Sequence, residues 1–150
     1  RTVRQVAFVA DIHDGPDVIS RHLDLCAEHD VDDVVILGDA VSAETIAAFE
    51  GYMIHYVVGN GELNQSTMRD TVKTVDDLGG IVYGRDGRVQ FGDTQFMIRH
   101  GDVTRDMGYA MAATNADVVV HGHYHYQEDN HIGDGRVMNP GPDGCIRPRR

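Results

Sequence analysis

Short apolar runs, each halted by a glycine or a charged residue, punctuate this chain and constrain its fold more than any other feature. VRQVAFVAD (3–11), DDVVILGDA (32–40) and YMIHYVVGN (52–60) are rich in β-branched and aromatic residues and bounded by turn residues, the pattern of buried strands. Helical patterns separate them. Val18, Ile19, Leu23, Leu25 and Cys26 recur with a near-helical period up to His29, after a turn in which Pro16 suits a first helical position. SAETIAAF reads as a short helix capped by Ser42, and Leu63 to Leu78 as a longer one closed by Gly79-Gly80. Further on come a short strand over Ile81–Tyr83 and a hairpin of Val89–Phe91 with Thr94–Arg99. A helix over Thr104–Asn115, a strand over Asp117–His121, and a hairpin of His131-Ile132 with Arg136–Met138 follow. Alternating strands and helices followed by hairpins predict an α/β fold with mixed sheets, and 150 residues suit one domain over 1–150.

The strand ends carry the chemistry. Five strands run into DIH, GDA, GNGE, HGD and HGHYH. In open α/β layers ligands bind in the crevice beyond the carboxyl ends of strands. The donors available there are Asp11, His13, Asp39, Asn60, His100, His121, His123 and His125. Carboxylate, amide and imidazole together suit Mn, Fe, Zn, Co or Ni better than Ca. No thiolate is among them, which excludes a cysteine-type structural zinc site. The donors exceed the needs of one tetrahedral ion, and two ions sharing a carboxylate fit them better. A single Asp-x-His or Gly-Asp is ordinary turn chemistry; the ordered set of five at strand ends is not.

Composition narrows the setting. Net charge is −11, with 19 Asp against 5 Glu, and Lys73 is the only lysine among 13 basic residues. Such a surface disfavours nucleic acid and looks adapted to high salt, where screening removes self-repulsion. No apolar run approaches the ~20 residues needed to cross a bilayer, and no secretory leader is visible, so the expected location is the cytoplasm. Cys26 and Cys145 are too few for a disulfide framework and read as quiet thiols.

The ordered motifs resemble those of the calcineurin-like metallophosphoesterases. The family pattern of DxH, GD, GN followed by an acid, HG and GHxH reads here as DIH (11–13), GDAV (38–41), GNGE (59–62), HGD (100–102) and GHYH (122–125). NPG at 139–141 and the short length point to the small YfcE-like branch. The resemblance implies a mixed two-layered β-sheet sandwich flanked by helices. It implies two divalent transition metals, Mn²⁺ first, with Ni²⁺, Fe²⁺, Co²⁺ or Zn²⁺ as alternatives. Asp11, His13 and His125 would hold one ion, Asn60, His100 and His123 the other, and Asp39 would bridge. Asp39, Asn60 and His100 would serve catalysis, with Asn60 and His100 also touching substrate. The implied reaction is hydrolysis of phosphodiesters, or else phosphomonoesters, by in-line attack of a metal-bridging hydroxide. Two dications against two carboxylates leave a positive centre of roughly +2, able to draw a small phosphorylated substrate into an acidic protein.

Three departures from the family pattern matter. Larger members have a His where this chain has Gly61, so no side chain there protonates the leaving group, and acidic leaving groups are expected to react best. Glu62 stands beside it without that His to orient, and Tyr124 or His121 is the only substitute donor nearby. Asp102 stands where many members carry a phosphate-side His; capping of the following helix is its other role. After NPG the chain continues only to CIRPRR, where the family runs on into strands that finish a sheet; either the sheet is smaller here or the native chain was shortened, and an edge so exposed could pair in a homodimer. Outside the motif, His121 reads as a packing residue or a support for neighbouring ligands. The competing reading is a catalytically weak metal-binding scaffold or protein-interaction module of the same fold. A nuclease and an inert metal-binding protein fit less well, since the chain lacks a basic groove. If the Asp-rich composition is a high-salt adaptation, the melting temperature should rise steadily from low to molar KCl, as followed by circular dichroism; a flat or falling profile would refute it.

Overall fold

The computed structural model describes residues 4–10, 16–38, 42–58, 65–84, 86–99, 116–121, 128–132, 135–139 and 145–149. Strand β1 (Arg4–Val9), helix α1 (Pro16–Glu28), β2 (Val31–Ile36), α2 (Ala43–Ala47), β3 (Met53–Tyr56), α3 (Gln65–Asp77) and β4 (Ile81–Val82) alternate along the first half. The second half adds β5 (Asp86–Phe91), β6 (Thr94–Arg99), β7 (Val118–His121), β8 (Glu128–Ile132), β9 (Gly135–Asn139) and β10 (Cys145–Arg149). These form two five-stranded sheets, ordered β10-β1-β2-β3-β4 and β5-β6-β7-β9-β8. In the first sheet β1 to β4 are parallel and β10 is antiparallel to β1. In the second, β6, β7 and β9 are parallel, while β5 and β8 close the edges antiparallel.

Strands β1, β2 and β3 of the first sheet are buried on both faces, which is why their sequences read as nearly unbroken apolar runs. Val34, Ile36, Ile54 and Tyr56 face the helices, against Ile19, Leu23 and Cys26 of α1, Ile46 of α2 and Val75 of α3. Val35, Leu37 and Val57 face the second sheet and meet Phe91, Phe96, Ile98, Val118 and Val120. The layers are therefore helices, sheet, sheet. Ser42 begins α2 as expected, its side chain accepting from Thr45 N–H at 3.3 Å. Cys26 is buried among these apolar groups, and burial pushes its thiol up to about 11, so it is no ready nucleophile. No helix among the described residues is long and apolar enough to cross a membrane.

One expectation is corrected here. The tail CIRPRR was expected to leave the first sheet unfinished; instead Cys145–Arg149 is β10, an edge strand paired along β1 from Arg4↔Arg149 to Phe8↔Cys145. Its proline hid it, since Pro148 cannot donate to a ladder and is compatible only with an edge. The expected strand pair at 131–132 and 136–138 exists but is longer, as β8 and β9. The helix expected over 104–115 lies outside the described residues.

Tight packing on both faces makes the central strand intolerant of truncation. Ile36→Ala, at a fully buried position in β2, should lower unfolding free energy by about 2–5 kcal/mol in a urea titration, against less than about 0.5 kcal/mol for exposed Glu28→Ala.

Candidate functional site

Register decides where the polar strand ends lie. Val9 of β1 pairs with Ile36 of β2, and Ile36 with Tyr56 of β3, so the three parallel strands finish at one level. The ladder runs slightly further: Leu37 N–H donates to the Val9 carbonyl and Val57 N–H to that of Ile36, each at 2.9 Å. From that level Asp11 follows Val9 by two residues, Asp39 follows Ile36 by three, and Asn60 follows Tyr56 by four. The second sheet repeats the arrangement. Arg99 of β6 pairs with His121 of parallel β7, and the chain then enters His100 one residue on, and His123 and His125 two and four residues on. All seven nominated ligands, Asp11, His13, Asp39, Asn60, His100, His123 and His125, lie outside the described residues, as do Gly61, Glu62, Asp102 and Tyr124. Among the described residues no cluster of His, Cys, Asp or Glu could hold a metal ion.

The residues that lead into these segments are held firmly. Ala10, Leu37, Val57 and Val58 are buried behind the strand ends. Gly38, just before Asp39, is buried with φ +84°, a left-handed conformation in which a Cβ would meet its own backbone. The glycine thus turns the chain sharply at the end of β2. His121 is buried within β7, on the face away from the inter-sheet core. Arg99 lies beside it on the same face, also buried, and brings a guanidinium to the position before His100. Sequence reading passed over Arg99; its signal was a lone charge closing the strand TQFMIR.

A second polar group was also overlooked. Asp33, His55 and Tyr83 form a hydrogen-bonded chain within the sandwich: His55 Nε2 to Asp33 Oδ2 at 2.8 Å, and His55 Nδ1 to Tyr83 Oη at 2.9 Å. A carboxylate only accepts, so Nε2–H donates to Asp33, and Nδ1 pairs with the Tyr83 hydroxyl. Burial, followed by the nearby Asp33 carboxylate, raises the Tyr83 pKa. The signal was present: a polar residue within an apolar strand needs a buried partner.

Away from the strand ends, an open groove of about 420 Å³ lies between α2 and α3, lined by Ser42, Glu44, Asp70, Lys73, Thr74 and Asp77 among others. Its carboxylates repel anions, and Lys73, mostly exposed, is paired with Asp77 at 2.8 Å. This groove does not suit an anionic substrate.

Known proteins resemble this chain over most of its length. The family model of the calcineurin-like phosphoesterase superfamily domain matches residues 5–149. A phosphodiesterase of Methanocaldococcus jannaschii is 24% identical over 139 residues, spanning 91% of this chain and 82% of that protein. The solved structure of an archaeal phosphodiesterase superposes with a TM-score of 0.78 at 26% identity, covering 91% of this chain and 83% of that one. Two others share the fold: YfcE, a phosphoesterase from E. coli (TM-score 0.66, 19% identity, 94% and 81% covered), and zinc-bound Vps29 from Entamoeba histolytica (0.68, 18%, 91% and 73%). Gly38→Ala is expected to strain the end of β2 and lower unfolding free energy by about 1–2 kcal/mol, measurable by urea unfolding.

Proposed function

Because the chain belongs to the calcineurin-like phosphoesterase superfamily, we propose that it is a phosphoesterase that hydrolyses phosphodiester bonds with two divalent metal ions at the strand ends. The observation that carries this reading is the shared level at which β1, β2 and β3 end, with β6 and β7 likewise paired in the second sheet. That register delivers five donor-bearing segments from two neighbouring groups of strands. The donor chemistry fits two ions of the Mn²⁺, Fe²⁺ or Zn²⁺ kind, and the family resemblance puts Mn²⁺ first. Asp11, His13 and His125 would hold one ion and Asn60, His100 and His123 the other, with Asp39 between them. Once bound, the ions would supply an activated water and Lewis-acid stabilisation of charge on phosphate.

The chain's own residues do the rest. With only Asp11 and Asp39 as carboxylates in the set, two bound dications would leave net positive charge there, enough to favour a phosphate against an overall charge of −11. Asn60 and His100 bind and orient the substrate oxygens. Buried Ala10, Leu37 and Val58 exclude water from behind the site and keep the local dielectric low. Gly61 provides no proton to the leaving group, so esters of acidic alcohols and phenols should react fastest. Small phosphorylated molecules fit the acidic surface better than nucleic acid does.

The test is hydrolysis of bis(p-nitrophenyl) phosphate and p-nitrophenyl phosphate by chelator-stripped protein, with and without Mn²⁺. Mn²⁺-dependent turnover, faster on the diester, is expected, and Asp39→Asn should lower it by about a hundredfold or more. Full activity in Asp39→Asn, or turnover indifferent to chelation, would refute the proposal.

A further inference from the structure

The polar chain Asp33–His55–Tyr83 lies where the backbone passes from the first sheet to the second. Tyr83 follows β4, the edge of the first sheet, and β5 of the second begins at Asp86. Backbone bonds hold this crossover to β3: Tyr83 N–H donates to the Tyr56 carbonyl at 2.9 Å, and Val58 N–H to that of Gly84 at 2.6 Å. The Tyr83 ring lies so close to Gly87 of β5 that a Cβ there would come within 2.5 Å of it. The ring thus sets the position of β5, and its hydroxyl is set by His55 on β3, which is set in turn by Asp33 on β2.

A bulge immediately precedes Asp33. Between β1 and β2 the register jumps from Gln5↔Val31 to Val6↔Asp33, with Asp32 as the extra residue. Val31 faces the helices, whereas Asp33 shares the alternation of Val35 and Leu37, which face the second sheet. The bulge lets Val31 pack on the helix side while Asp33 keeps the face of Val35 and Leu37. From His55 an aromatic row crosses the interface: His55 to Phe91 at 5.4 Å between ring centres, Phe91 to Phe96 at 5.8 Å, and Phe96 to Phe8 at 5.3 Å. The row ends three residues before Asp11.

We propose that Asp33, His55 and Tyr83 are positioning residues for the metal site: by latching the β4–β5 crossover they fix the offset between the two sheets whose strand ends supply its ligands. The proposal rests on the two-metal reading above. Asp11, Asp39 and Asn60 follow strands of the first sheet, and His100, His123 and His125 follow strands of the second, so each ion draws on both. A small rotation of one sheet on the other alters metal–ligand distances in both half-sites, whereas softening within one sheet does not.

The test is Mn²⁺ titration of chelator-stripped protein, by calorimetry and by the exchange-coupled electron paramagnetic resonance signal of an Mn²⁺ pair, with melting temperature measured alongside. Tyr83→Phe removes only the hydroxyl and leaves the ring on Gly87; His55→Gln removes the ring that links latch and aromatic row. Val75→Ala, in the helix-facing core, is the control for lost stability alone. Both latch variants should bind Mn²⁺ about three- to tenfold more weakly and shift the coupled signal, while Val75→Ala melts lower but keeps both. Latch variants with the parent's affinity and signal would overturn the positioning role and leave the metal reading intact. If His55→Gln does not fold, Tyr83→Phe decides. A folded parent that shows no coupled Mn²⁺ pair would overturn the metal reading and the latch with it.

Discussion

Three parallel strands, β1, β2 and β3, are covered on one face by helices and on the other by a second sheet, and the rest of the molecule depends on that double burial. A strand with no solvated face can carry polar residues only where a buried partner waits or where the strand ends. Parallel register then brings the three carboxyl ends to one level. The candidate site is therefore a consequence of the core: the same burial that demands Val, Ile and Phe along the strands drives Asp and Asn to the edge.

The inter-sheet layer has a different character from the helix-facing one. The helix-facing core packs aliphatic groups with Phe49 and Tyr56, while the other packs them with Phe8, Phe91 and Phe96 and includes the Asp33–His55–Tyr83 chain near its margin. Aliphatic packing tolerates sliding, because dispersion has little directional preference. Hydrogen bonds of 2.8 and 2.9 Å do not, since their strength falls steeply with misalignment. An interface between two sheets gains a fixed offset from having at least one directional contact.

Charge separates the two surface features described above. A net charge of −11 opposes every phosphate that approaches. The groove between α2 and α3 adds to that repulsion, and its lysine is engaged by Asp77. Only a local positive centre makes phosphate binding compatible with such a surface.

Local pattern alone revealed much of this protein. The apolar runs of β1, β2, β3 and β7, the Ser42 cap and the order of polar strand ends are all legible because each depends on residues adjacent in the chain. From them followed the α/β class, the family and the candidate donors. The β10 strand was not legible, because CIRPRR becomes a strand only by pairing with β1, more than a hundred residues away. Nor was the buried polar chain. His55 and Asp33 are ordinary polar residues in the sequence, and only the pairing of β2 with β3 and the approach of Tyr83 bring them together. The sequence by itself determined which groups stand at the strand ends, because burial leaves them nowhere else to go. Tertiary structure alone decided which ends share an edge and what holds one sheet against the other, because pairing and register are relations between distant segments.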